Sequence, residues 1–112
     1  MERQELERLT RDYQMLQEQL QSLAVQREQF NMQKEEHKMA LAEVEKAAGK
    51  VYMGVGGAIV ETPKDDAVKR LKERHEAIEM RLTLVNKQYE EFSKKEKSLR
   101  EEITAALKAE KA

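Results

Sequence analysis

The stretch Val51-Tyr52-Met53-Gly54-Val55-Gly56-Gly57-Ala58-Ile59-Val60-Glu61-Thr62 constrains this chain more than any other. It holds three of the four glycines, and its β-branched and apolar residues stand apart from flanks made of Glu, Lys, Gln, Leu and Met. Gly56-Gly57 suits the positive backbone angles of a two-residue hairpin turn. That turn pairs Val55 with Ala58, Met53 with Val60 and Val51 with Thr62 on one nearly apolar face. Tyr52 with Glu61 and Gly54 with Ile59 fall on the other, mixed face. A plain glycine loop would leave Val51, Tyr52, Val55, Ile59 and Val60 unexplained. A lone hairpin is marginal in water, and its two open edges invite strand pairing. Lying beyond the end of the helices that flank it, it is expected to be left uncovered by them. Association between chains is therefore expected through Val51, Tyr52, Met53, Val55, Ala58, Ile59 and Val60.

Each flank reads as one long helix. Before the hairpin, apolar residues recur at steps of three and four: Leu6, Leu9, Tyr13, Leu16, Leu20 and Leu23, a heptad seam. The frame continues through Arg27, Phe30, Lys34, His37, Leu41, Val44 and Ala48, with ionisable interruptions at Arg27, Lys34 and His37. Val25, Met32 and Met39 form a second set spaced by seven beside the interruption. The preferred reading is a seam that rotates onto that set, as helices drift against a strict heptad. The functional reading is a Met-bearing face offered to a partner, since Met adapts to many surfaces. Gly49 is the expected left-handed C-cap. A helix over about residues 3–48 would be roughly 70 Å long.

After the hairpin, Thr62-Pro63-Lys64-Asp65-Asp66 is a helix start. Thr62 is expected to cap, Pro63 to take the first helical position, and the aspartates to favour the positive end. The second seam runs Val68, Leu71, His75, Ile78, Leu82, Val85, Tyr89, Phe92, Glu96, Leu99, Ile103 and Ala106. Folded back at the hairpin, the two seams align with residue numbers summing to about 113, so Leu41 meets Leu71 and Leu9 meets Ile103. The expected architecture is mainly α: an antiparallel two-helix coiled coil with one central β-hairpin. Its parts are a first helix in residues 1–49, the hairpin element in 50–62 and a second helix in 63–112. Packing is expected to be weakest where the interruption at residues 27–37 faces residues 78–85.

Several kinds of chemistry are excluded by what is missing. The 21 basic and 22 acidic residues are interspersed, so no basic stripe marks a nucleic-acid partner. No cysteine is present, hence no disulfide framework, thiol nucleophile or thiolate metal site. Met1-Glu2-Arg3-Gln4-Glu5 lacks the apolar core of a signal peptide, and no run is long enough to span a bilayer. A soluble, cytoplasmic protein is expected. No phosphate-binding or dinucleotide motif appears. His37 and His75 fall close together in the alignment but lack an obvious carboxylate in register, so they are expected to be neutral packing residues rather than a metal site. No enzyme and no cofactor are expected.

The free ends bring Leu6, Leu9, Ile103 and Leu107 together, with Met1 at the start. They form either an ordinary coiled-coil terminus or an adaptable apolar patch ringed by charge. Spacing alone leaves both open.

Two arms of equal length around one hairpin, entered by Val51-Tyr52, turned at Gly56 and followed by Ile59-Val60, resemble the prefoldin beta subunit family over the whole chain. Met53 stands where that family often carries Lys. The resemblance implies an ATP-independent holdase chaperone. Its hairpins would join two alpha-type and four beta-type subunits into a hexamer through inter-subunit β-barrels. Its coiled-coil tips, here Leu6, Leu9, Ile103 and Leu107, would hold unfolded polypeptides and pass them to a group II chaperonin. The reading from a different class is a homo-oligomeric or filament-forming structural protein with no client. A regulator or adaptor built on the coiled coil is a third.

Overall fold

A computed structural model describes residues 2–111; Met1 and Ala112 lie outside the described residues. The element order is α1 (Arg3–Lys46), β1 (Val51–Val55), β2 (Ala58–Thr62) and α2 (Lys64–Lys111). This is the expected coiled-coil pair of helices around a central antiparallel hairpin. The chain divides into two compact units: residues 1–27 with 84–112, and residues 28–83.

In the unit of residues 28–83, the hairpin has the register that the glycine pair dictates. Val51 pairs with Thr62, Met53 with Val60 and Val55 with Ala58. Gly56 and Gly57 turn at φ of 55° and 86°. Both angles lie in the left-handed region that a side chain disfavours, which is why glycine fills both places.

The ends of the helices depart from expectation. Gly49 is not in the left-handed region, so it does not cap α1. The helix stops at Lys46, and the Ala47 amide closes back onto the Val44 carbonyl at 3.1 Å. The last carbonyls are served from the other helix. Lys64 Nζ donates to the carbonyl oxygens of Glu45 at 2.7 Å and Ala47 at 3.1 Å. A cation there satisfies orphan acceptors and complements the negative helix end. Thr62 is likewise not the cap of α2. It is claimed by the strand, paired with Val51 and buried, and its hydroxyl donates to the Val60 carbonyl at 3.1 Å. Pro63 takes the cap position instead, its carbonyl accepting from the Ala67 amide at 3.0 Å. Asp65 and Asp66 fill the first turn as expected.

The expectation that the helices leave the hairpin uncovered is also corrected. Val51 and Met53 are buried in a small core with Ala67 and Leu71, flanked by Ala40, Leu41, Val44 and Ala47. Alanines at 40, 47 and 67 are the residues that let a strand lie close to the helix ends. Burying aliphatic side chains such as Val51 and Met53 is worth about 1.5–3 kcal/mol each, enough to anchor a hairpin that would be marginal alone.

Along both helices the original heptad frame is kept. In the unit formed by 1–27 and 84–112, Leu9, Leu16, Leu23, Val85 and Ala106 are buried, with Leu6, Tyr13, Leu20, Tyr89, Phe92, Leu99 and Ile103 half-buried. In the other unit Leu71, Ile78 and Leu82 are buried, and Phe30, Leu41, Val44 and Val68 half-buried. The seam does not rotate. Lys34 and His37 remain half-buried in it, while Met32 and Met39 stay 57% and 68% exposed. On α2 Ile78, Leu82 and Val85 are all buried, whereas no residue of α1 after Leu23 is buried. Long aliphatic stems let Arg27 and Lys34 fill seam positions while their charged ends reach outward. The Arg27 guanidinium sits over the Tyr89 ring at 4.3 Å, and Lys34 Nζ lies 3.9 Å from Glu79.

Replacing Lys64 with Met keeps the stem and removes the ammonium from two carbonyls. We expect a loss of about 1 kcal/mol, or roughly 4 °C in a thermal melt followed by circular dichroism. An unchanged midpoint would mean that water serves those carbonyls equally well.

Candidate assembly and client-binding surfaces

The hairpin offers its apolar residues unevenly. Val51, Met53 and Thr62, at its base, are buried within the chain. Further out on the same face, Val55, Ala58 and Val60 are exposed. On the opposite face Tyr52 is exposed and Ile59 is 80% exposed, the most exposed large apolar side chain among the described residues. Glu61 on that face lies 3.9 Å from Lys50. The sheet has two strands only, so both outer edges carry unpaired backbone groups. Of the seven residues expected at an assembly surface, five are therefore available to another chain: Tyr52, Val55, Ala58, Ile59 and Val60. Val51 and Met53 hold the hairpin in place instead.

In the unit that carries both termini, two grooves flank the seam. One, of about 640 Å³, is lined by Arg3, Leu6, Glu7, Thr10, Arg11 and Glu110. The other, of about 380 Å³, is lined by Thr10, Tyr13, Gln14, Gln17, Arg100, Ile103, Thr104 and Leu107. Leu6, Ile103 and Leu107 thus face grooves, whereas Leu9 is buried in the seam and lines neither. Each groove has an apolar floor and a charged or amide rim, a surface that can accept apolar side chains without a fixed pattern of donors. Arg3 Nε lies 3.4 Å from Glu7 on the rim of the first.

A polar cluster borders the second groove. Gln17 Nε2 donates to the Tyr13 hydroxyl at 3.0 Å, and Arg100 lies 3.8 Å from Glu96, a half-buried seam residue. The phenol of Tyr13 is held above its ordinary pKa, first by a hydrogen bond to the Glu96 carboxylate, then by desolvation and that carboxylate's charge; Arg100 opposes the shift.

The histidines also differ from expectation. His75 Nε2 lies 3.0 Å from Glu79, so a carboxylate does stand in register, one helical turn along. Glu79 is shared with Lys34. The Nδ1 atoms of His37 and His75 are buried without a hydrogen-bond partner, and no cluster of three or more metal-binding side chains occurs among the described residues.

Comparison with known proteins accords with this arrangement. The family model described as Prefoldin subunit matches residues 7–110. This chain belongs to the prefoldin subunit family. Its relatives include the prefoldin subunit beta of Pyrococcus horikoshii, 42% identical over 59 residues, which are 53% of this chain and 50% of that one. The corresponding subunit of Thermococcus kodakarensis is 43% identical over 58 residues, 52% and 50% of the two chains. The matched stretch thus spans about half the length of these curated relatives. Among solved structures, the prefoldin beta subunit from Thermococcus strain KS-1 superposes with a TM-score of 0.85 at 34% identity, covering 92% of each chain. The prefoldin beta2 subunit from the same strain, at 18% identity, shares the fold with a TM-score of 0.72 over 80% of this chain and 97% of that one. The prefoldin likeness therefore runs to beta subunits, in agreement with the single hairpin. Among the described residues no helix is long and apolar enough to cross a membrane.

Reading the heptads did not find Thr10, which lines both grooves, or the cations Arg3, Arg11 and Arg100 around them. They lie off the seam, where a sequence shows only ordinary solvated charge. The contact of Tyr13 with Glu96 was closer to hand, because both are seam positions and their numbers sum to 109.

Because the folded phenol is the more weakly acidic one, its stabilising effect is complete below the unfolded phenol pKa of about 10 and is lost as pH rises through the folded value. In an ultraviolet titration, Tyr13→Phe is expected to remove a late-ionising phenol, and Glu96→Gln to move the Tyr13 ionisation earlier. Superimposable curves for Glu96→Gln and wild type would show that Glu96 is not the cause.

Proposed function

We propose that this chain is a beta-type subunit of an ATP-independent holdase chaperone, working in the cytoplasm and without enzymatic chemistry. The observation that carries the proposal is the hairpin: in a prefoldin-family chain, it exposes Tyr52, Val55, Ile59 and Val60 beside two open strand edges. Those groups find partners when hairpins of several chains close into a β-barrel, where backbone pairing removes the edges and the apolar side chains leave water. The partners are alpha-type subunits and further copies of this chain, in a hexamer of two alpha and four beta. Unfolded polypeptides are held at the grooves floored by Leu6, Ile103 and Leu107, with Leu9 supporting them from the seam, and are handed to a group II chaperonin. Each groove is shallow and binds weakly. Several acting together gain affinity through effective concentration rather than new contacts.

The test is aggregation of a denatured model protein, followed by light scattering without nucleotide. The assembled protein at stoichiometric excess should delay it. No delay would favour a structural oligomer without clients. Removing residues 1–10 and 103–112 should weaken holding while native mass stays that of the full assembly. A truncated chain that no longer assembles would give the termini a structural role instead.

Ile59→Lys and Val60→Lys place a charge on residues exposed in the single chain. They should leave helicity intact and dissociate the complex, because a charge in the barrel has no partner there. Either variant still sedimenting at full size would rule out the hairpin as the joint.

A further inference from the structure

We propose that a second copy of this chain joins its β1 to β2 of the first in one register, with its Gly54 set against Ile59 of the first. This rests on the hairpin reading above and adds how the strands meet. The starting point is a glycine that its own chain does not need. Gly56 and Gly57 have positive φ, and Gly54 does not. A Cβ at Gly54 would meet nothing within 4 Å. Neither turn geometry nor crowding therefore calls for glycine there. Glycine weakens a strand, and within one it often marks a close approach by another chain. Ile59, which pairs with Gly54 across the hairpin, is left 80% exposed.

The backbone limits how the copies can meet. The two-residue turn makes Val55 and Ala58 a hydrogen-bonded pair, and such pairs alternate along an antiparallel ladder. Tyr52 and Gly54 on β1, and Ile59 and Glu61 on β2, therefore aim their N–H and C=O groups at the outer edges. An antiparallel junction of β2 with β1 of the next copy keeps both hairpin bases at one end. Setting Ile59 opposite Gly54 pairs all five residues of each strand, whereas a slip of two residues either way leaves three pairs. One such slip also sets Pro63, which has no N–H, opposite Tyr52. A slip of one opposes outward-aimed groups with inward-aimed ones. The full register suits the side chains too. Val60 comes beside Met53 of the next copy, which is buried against its own helix ends. Glu61 meets the next copy's Lys50 at the same offset as its own, which lies 3.9 Å away. Because helix ends occupy the face of Val51 and Met53, a sheet of several hairpins curls away from them. Its concave side then carries Tyr52, Gly54, Ile59 and Glu61. There each Gly54 lies between two isoleucines, about 10 Å apart in a flat sheet. Curling brings those side chains together over the glycine. Large and small residues alternate in this way to fill a narrow barrel.

Two experiments on the full chain test this. Gly54→Val has room in the single chain and suits a strand, so its thermal melt at dilution should not fall below wild type. Its half-dissociation concentration in analytical ultracentrifugation should still rise about tenfold, because the valine keeps the isoleucines apart. A variant that assembles like wild type would overturn the proposal. The second experiment reads the register independently of that variant. The chain has no cysteine, so Gly54→Cys chains mixed with Ile59→Cys chains can form a mixed disulfide only between copies. Paired residues in this register have a Cα spacing that a disulfide accepts. That mixture should cross-link under mild oxidation, whereas Gly54→Cys mixed with Glu61→Cys, or Gly54→Cys alone, should not. Assembly without the mixed disulfide, or cross-linking of Gly54→Cys with itself, would overturn the register and leave the hairpin reading standing. A wild type that sediments as one copy at every concentration would overturn the pairing of hairpins between copies, and the register with it.

Discussion

The contact of Val51 and Met53 with Ala67 and Leu71 is the constraint on which the rest of the hairpin unit depends. Without it, five-residue strands joined by two glycines would have nothing to fix their direction. With it, one end of one face is spent inside the chain, and the remaining apolar residues are held outward on a rigid base. The division is sharp along β1: alternate residues Val51 and Met53 are buried, then Val55 on the same face is exposed. A hairpin covered along its whole face would leave little for another chain, and one covered nowhere would not hold its shape in water. The small residues at 40, 47 and 67 set the boundary between those outcomes.

The same logic of partial commitment holds along the coiled coil. A two-helix seam cannot enclose its own residues, and among the described residues no large side chain is fully enclosed. The seam therefore tolerates Arg27, Lys34, His37, His75 and Glu96, whose stems or rings fill space while their polar ends find neighbours at the side. Arg27 over Tyr89, Lys34 with Glu79 and Tyr13 beside Glu96 are three versions of that solution. They tie particular residues of one helix to particular residues of the other. A leucine-only seam would specify register less strongly, because any shift by a heptad would look the same to it.

Much of this was legible from residue types and spacing. The strand register follows from one glycine pair, and every seam residue from Leu6 to Val44 in α1 and from Val68 to Ala106 in α2 keeps its expected frame. What spacing could not reveal was competition for the same residue. Thr62 is a good cap by type, yet strand pairing claims it first. Gly49 is a good cap by type, yet Lys64 reaches across and makes a left-handed turn unnecessary. Hydrophobicity alone favours a seam that rotates onto Val25, Met32 and Met39, all of which are exposed. The seam stays in frame because Arg27 and Lys34 have long apolar stems that fill its positions. The grooves near the termini were legible only in their floors, since their rims belong to residues that carry no periodic signal.

The bond from Lys64 to the carbonyls of Glu45 and Ala47 has one more consequence. It closes the intervening chain into a ring pinched at its neck. Inside that ring, the outer hairpin residues touch little of their own protein. Their identities can change while the arms below keep their alignment. Under the proposed function, a chain built this way would separate the part that chooses companions from the part that holds cargo, so that each could diverge on its own schedule.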